Sequence, residues 1–336
     1  MLKRMALVVM IGLLSGCAST PNVIYSYYPS DSNSIVTVTQ TVDCNSAKTD
    51  IVVASSASVN TVYFADYTKE PYSIEINKLD GTFADSDFTF NFFDDGRLKS
   101  INGSTTGQGE TILKSAIALG TAVAVLGGGA PAAPKAIPEC DTISKWGGGK
   151  PVTLNFTKKI DYKKDTDGLP HNLEPVPDSA GLYSKLSGKL HKPQVTVMPP
   201  HAIKRSAYAN DKSDNIVPLN LQDTENIKLD VSASGLISSY TITIPGKNTF
   251  TLPIPKAALF GKQSFALTLS EAGAITQIEY GKTTGAAGPL NIATSAATSA
   301  APESDATKAA EVKGKADLIV QQQRLVHCLS DPAKCQ

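Results

Sequence analysis

The sequence predicts an α+β fold: two internally duplicated modules, each an antiparallel β-sheet with a covering helix, followed by a C-terminal helix. Three observations predict it. Apolar segments recur in the same order in both halves of the chain, those segments alternate with period 2, and a run with helical spacing follows the first set.

The clearest recurring block is Phe88-x-Phe90-x-Phe92, then Gly96-x-Leu98, then Ile101. It returns as Phe265-x-Leu267-x-Leu269, then Gly273-x-Ile275, then Ile278. Thr105-Thr106-Gly107 returns as Thr283-Thr284-Gly285 with a slip of one residue. Upstream, Tyr72-x-Ile74-x-Ile76-x-Lys78 matches Phe250-x-Leu252-x-Ile254-x-Lys256. Further back, Ile24-Tyr25-Ser26 and Val36-Thr37-Val38 match Leu182-Tyr183-Ser184 and Val195-Thr196-Val197. The shared order, more than any single match, argues for duplication.

Within the first copy, alternation from Phe88 to Phe92 gives one apolar and one polar face, as a half-buried strand requires. Asp94-Asp95-Gly96 supplies turn chemistry, with Gly96 free to take positive φ. Residues 98–102 return as the second strand of a hairpin. Ile112, Ala116, Leu119, Val123 and Leu126 then share one face of a predicted helix. The second copy has a poorer helical counterpart over residues 290–301.

The first module therefore covers residues 24–126 and the second 182–301. Between them, residues 127–181 read as a Gly/Ala/Pro linker, a strand over 152–156 and a charged, Pro-rich loop. Residues 302–336 hold a polar helix capped by Ser304 or Asp305 and running to about His327. Ala309, Val312, Ala316, Ile319 and Val326 form its narrow apolar seam, interrupted by Gln323. Arg324 and His327 sit in its last turn, where cations suit the helix dipole.

At the N-terminus, Lys3 and Arg4 precede an apolar run over residues 5–14, too short to span a bilayer as a mature helix. Leu14-Ser15-Gly16-Cys17 follows, and this arrangement resembles the lipobox of bacterial lipoprotein precursors. The resemblance covers residues 1 to about 20. It implies that residues 1–16 are a signal peptide and that Cys17 carries a thioether-linked diacylglycerol and usually an acylated amine. Residues 17–23 would then be the lipidated tether. Residue 18 is Ala, not the Asp that resembles an inner-membrane retention signal, which points to the outer membrane. Two or more acyl chains convert marginal binding into stable anchoring.

An envelope location is oxidising, and four cysteines remain once Cys17 is set aside: Cys44, Cys140, Cys328 and Cys335. They read as two disulfides. Of the three pairings, Pro332 in the short segment between Cys328 and Cys335 favours the local one. That leaves Cys44 with Cys140, closing a long loop.

The 336 residues carry 31 Lys and Arg against 31 Asp and Glu, which gives no electrostatic case for a nucleic-acid partner. His171, His191, His201 and His327 fall in stretches read as loop or helix end, and neither His-Glu-x-x-His nor Gly-x-Ser-x-Gly occurs. Gly107-Gln108-Gly109 lacks the third Gly of a dinucleotide site and the Gly-Lys-Ser/Thr of a P-loop. Asp165-x-Asp167-Gly168 with Glu174 matches part of a calcium loop, but Lys163 takes the first-ligand position and Pro170 intrudes. No metal or cofactor is therefore expected.

The function expected is a non-catalytic binding or assembly module, membrane-anchored through its lipid and meeting an envelope protein partner. Two alternatives stand beside it. One is a membrane-active or oligomer-forming protein using the Gly/Ala-rich helix over residues 115–126, part of a charge-free stretch reaching residue 133. The other is an envelope hydrolase built from distant residues.

Overall fold

Alternating apolar and polar residues set most of the backbone, because one sheet face is buried while the other meets solvent or a helix. The computed structural model describes residues 22–79, 88–103, 120–126, 135–202, 216–256, 262–283 and 305–330. Among these residues the chain is mostly β, with four antiparallel sheets and three α-helices.

β1 (Ile24–Tyr27) leads into β2 (Ser30–Cys44), which turns back into β3 (Ile51–Ala65). β4 (Tyr72–Glu75) pairs with β1 and ends in one 3-10 turn, Ile76–Leu79. β5 (Thr89–Phe92) and β6 (Leu98–Gly103) form the hairpin that the Phe88-Phe90-Phe92 alternation predicts.

β7 (Gly120–Leu126) corrects the helix expected over residues 112–126. It pairs with β3 from Ile51↔Leu126 to Ala57↔Gly120, while residues 104–119 lie outside the described part. Thr121, Val123 and Val125 alternate with alanines, and β-branched side chains favour a strand. The edge of β3 would otherwise be left unpaired.

Residues 127–181 hold more than the linker and single strand expected. α1 (Pro138–Gly147) has Pro138 at its start and Glu139 and Asp141 in its first turn, and Gly148 closes it with φ 60°. β8 (Val152–Asp161) is the expected strand, carried on to Asp161. Two short strands follow, β9 (Pro170–Asn172) and β10 (Glu174–Pro175). α2 (Pro177–Leu186) then takes up Leu182-Tyr183-Ser184, the segment matched in sequence to β1. Pro177 and Asp178 start this helix, and its buried Ser179, Leu182 and Leu186 follow helical spacing, not period 2.

β11 (Gln194–Val197) and β12 (His201–Ala202) precede a long hairpin, β13 (Ile216–Ala233) and β14 (Leu236–Pro255). β15 (Lys262–Leu269) and β16 (Ile275–Thr283) form the hairpin whose sequence matches that of β5 and β6, and α3 (Asp305–Ser330) is the expected C-terminal helix. The helical stretch expected over residues 290–301 lies outside the described residues.

Two cores result. The sheet ordered β10-β8-β2-β3-β7 directs Val36, Val38, Ile51, Val53, Leu154 and Phe156 onto Ile227, Leu229, Val231 and Tyr240 of the long hairpin. Leu182 and Leu186 of α2 complete that core. The sheet ordered β16-β15-β6-β5 packs Ile101, Phe265 and Leu267 onto the other half of the long hairpin, at Val217, Leu219, Leu252 and Ile254. A bulge between Gln222 and Thr224 marks the passage from one core to the other. Buried Gln222 accepts the Ser30 amide at 2.7 Å and donates to the Gly246 carbonyl at 2.7 Å, satisfying both ends of its amide there.

The two sequence-matched hairpins share local geometry. Gly96 and Gly273 take φ of 85° and 83°, and each hairpin carries a register shift just before its turn. They do not head separate sheets. β6 pairs directly with β15, Ile101 opposite Leu267, so both hairpins lie side by side in one sheet.

α3 lies with its C-terminal part on the outer face of β2 and β3, where Val326 is fully buried against Val52 and Ala54. Gln322, not Ala316, shares that buried face. The surface beneath is itself polar, with Thr41, Ser56 and Thr153, and Gln323 donates to the Thr153 hydroxyl at 3.4 Å.

Candidate functional site

The most distinctive surface lies where β1 and β5 meet at the edge of the second core. β1 pairs with β4 so that Tyr25 is opposite Ile74 and Tyr27 opposite Tyr72. This register turns Tyr25 and Tyr27 to one face. Tyr27 is buried, and its hydroxyl donates to the Asn220 carbonyl at 2.6 Å. Burial, with a smaller contribution from Tyr72, pushes the Tyr27 pKa well above the ordinary phenol value, so it stays a neutral donor.

Tyr25, by contrast, is 43 % exposed and stacks on Phe90, with ring centroids 5.8 Å apart. Phe92 lies 6.2 Å from Tyr25, and Phe88 lies 6.3 Å from Phe90. Tyr25, Ile76, Phe88, Thr89 and Phe90 line an open groove of about 310 Å³. The groove offers dispersion, stacking and apolar area from its aromatic and aliphatic lining. The Phe88-x-Phe90-x-Phe92 pattern read as a core face is therefore only half covered.

A polar seam joins the two cores beside this edge. Arg97, 5 % exposed, donates from Nε to Asp95 at 2.7 Å and from its terminal nitrogens to the carbonyls of Glu271 and Tyr63. Its guanidinium also sits 4.7 Å from the Phe93 ring centroid. Nearby, Lys163 reaches Asp31 at 2.7 Å and the buried Asp66 at 3.4 Å. Burial pushes the Asp66 pKa up, but hydrogen bonds from Thr68 and the Lys163 ammonium outweigh it and hold the carboxyl below its ordinary value. A lowered folded-state pKa gives stability that is complete above the unfolded value, about 3.9, and is lost as pH falls through the lower folded value. Asp66→Asn should thus be less stable than the parent at pH 7, with the difference shrinking below about pH 4 in urea titrations. A difference that stays constant into acid would contradict this role.

Cys44 and Cys140 form a disulfide with Cα atoms 5.8 Å apart. Cys328 is also disulfide-bonded. Cys17, Cys335 and Gly107-Gln108-Gly109 lie outside the described residues, and of the 115–126 segment only β7 is described. The structure does not bring the partial calcium loop together as a ligand set. Asp165 accepts the Asp161 amide, Asp167 accepts the Leu169 amide and contacts the His171 ring at 3.1 Å, and Glu174 pairs with Lys192. Among the described residues no three His, Cys, Asp or Glu side chains converge as metal ligands. His191, His201 and His327 are exposed on a loop, on β12 and on α3.

A second depression, of about 560 Å³, lies between α1 and α2 and is lined by Thr142, Lys145, Trp146 and Lys185. Lys185 Nζ stands 5.6 Å from the Trp146 ring centroid. Sequence reasoning singled out neither Trp146, the chain's one tryptophan, nor Arg97, nor the pairing of Tyr25 with Phe90. Three alternating phenylalanines, Phe88 just before β5 and Phe90 and Phe92 on it, are the available signal for the aromatic edge. No protein-family model, no curated protein and no solved structure matches this chain.

Proposed function

We propose that the chain is a lipid-anchored envelope protein that acts as a non-catalytic binding or assembly module at the outer membrane. The observation that carries this reading is Leu14-Ser15-Gly16-Cys17 behind a short apolar run. Two disulfide-bonded cysteine sets, Cys44–Cys140 and Cys328 with its partner, support an oxidising compartment. Among the described residues no helix is long and apolar enough to cross a membrane, and on this reading the lipid on Cys17 is the attachment.

Among the described residues an aromatic groove and a Trp–Lys depression are open to a ligand, and their aromatic lining suits recognition. The shared turn and register shift of β5–β6 and β15–β16 support descent of the two hairpins from one duplicated unit. Cys17→Ser tests the anchor. Expressed in the native host, the parent chain should sediment with the outer membrane and the variant should not. Co-sedimentation of the folded variant would overturn the reading.

A further inference from the structure

We infer that the open aromatic edge formed by Tyr25, Ile76, Phe88 and Phe90 is the face that rests on the lipid interface holding the protein's own anchor. The inference rests on lipidation of Cys17 and adds to it an orientation of the folded part.

Chain length supplies the first argument. Ile24 is seven residues beyond Cys17, and an extended chain covers at most about 3.3–3.6 Å per residue. The start of β1 is therefore held within about 25 Å of the acyl chains. Connectivity supplies the second. The described chain begins at residue 22, and the Val23 carbonyl accepts the Ile76 amide at 3.0 Å, with Ile76 itself a wall of the groove. The tether thus departs from the rim of the aromatic edge and not from the far side of the sheet.

The chemistry fits that position. Aromatic side chains concentrate at membrane–water interfaces, where a tyrosine keeps its hydroxyl wet while its ring enters the headgroup region. Tyr25 is exposed, Phe88 and Phe90 are half-buried, and the ionised neighbours Glu75 and Lys78 neutralise one another at 2.7 Å on the flank. Tethering also changes what affinity is needed. Rings that could not recruit a free protein are presented at high effective concentration once the anchor is inserted. A protein partner at this groove would draw no comparable advantage from the short tether, which favours the bilayer as occupant.

The test uses the full acylated protein purified from its host and placed in phosphatidylethanolamine–phosphatidylglycerol vesicles containing brominated lipid. Trp146→Phe removes the natural tryptophan, and Tyr25→Trp places a reporter in the groove. Phe88→Trp is a second groove reporter that covers the case of a misfolded first variant. Tyr280→Trp, at the far edge of the same sheet, is the control. Flotation reads the anchor separately from the fluorescence. The expected result is flotation of all three, with emission from positions 25 and 88 quenched about twofold more than from position 280.

Flotation with equal or no quenching at the groove positions overturns the orientation while leaving the anchor intact. Protection of position 25 in intact envelopes but not in lipid vesicles assigns the groove to a protein and overturns it as well. Failure of the host-made protein to float, with Cys17 unmodified by mass, sinks the lipidation reading and the orientation with it.

Discussion

Replacing Cys44 and Cys140 together by alanine should lower the unfolding free energy by about 4–5 kcal/mol. The bond spans 96 residues of sequence and ties the end of β2 to buried Cys140 in the first turn of α1. In the chain-entropy picture, a loop of that size confines the unfolded ensemble strongly. Within the folded chain, α1 is also held to the first sheet by buried Ile143 in its core, by Ile137 N on the Lys48 carbonyl at 2.9 Å, and by the exposed Lys48–Asp141 pair at 3.1 Å. An exposed pair of that kind contributes about 0–1 kcal/mol. Urea unfolding of the double variant beside the parent measures the difference. A loss under about 1 kcal/mol would mean that the unfolded chain is already compact around these cysteines.

Arg97→Ala should cost about 3 kcal/mol, the low end of the range for breaking a buried charged pair, because Arg97 is buried while Asp95 stays partly exposed. The guanidinium serves three elements at once: the β5–β6 turn through Asp95, the β15–β16 turn through the Glu271 carbonyl, and β3 through the Tyr63 carbonyl. Truncation leaves the Asp95 carboxylate and two carbonyls without their donor beside a buried seam. Because Arg97 links the sheet of one core to a strand of the other, its loss should also separate their unfolding. Two transitions, one reported by Trp146 and one by hydrogen exchange in β15 and β16, are expected where the parent shows one. Arg97→Lys should recover only part of the loss, since an ammonium cannot reproduce the three-way fork. A single unshifted transition for Arg97→Ala would contradict the linking role.

Local features of the sequence foretell the local structure well. The hairpin at Phe88–Ile101 follows from period 2 and an Asp-Gly turn, and its counterpart at Phe265–Ile278 has the same turn geometry. The helix over residues 305–330 follows from its cap and spacing, and the Cys44–Cys140 bond from counting cysteines. Residues 120–126 mislead because Ala and Val at adjacent positions satisfy helical and alternating patterns equally. What decides them is the open edge of β3, which comes from a distant segment. Leu182-Tyr183-Ser184 resembles a strand in isolation, yet Pro177 and Asp178 upstream begin a helix there.

Long-range arrangement is harder still. Nothing local says that β6 meets β15, or that one hairpin closes two cores, because those contacts depend on side chains far apart in sequence. The aromatic edge has the same origin. Phe88, Phe90 and Phe92 read as core, and only the return of β1 along β4 shows that Tyr25 caps them incompletely. Arg97 looks like any turn cation until its three acceptors converge.

If Cys17 is the lipidated first residue of the mature chain, the intact mass of the protein from its native envelope must carry that modification. The expected mass is that of a chain beginning at Cys17, with residues 1–16 absent and a diacylglycerol and an amide-linked acyl group added to that residue. An unmodified N-terminus beyond Cys17, or retention of residues 1–16, would contradict it.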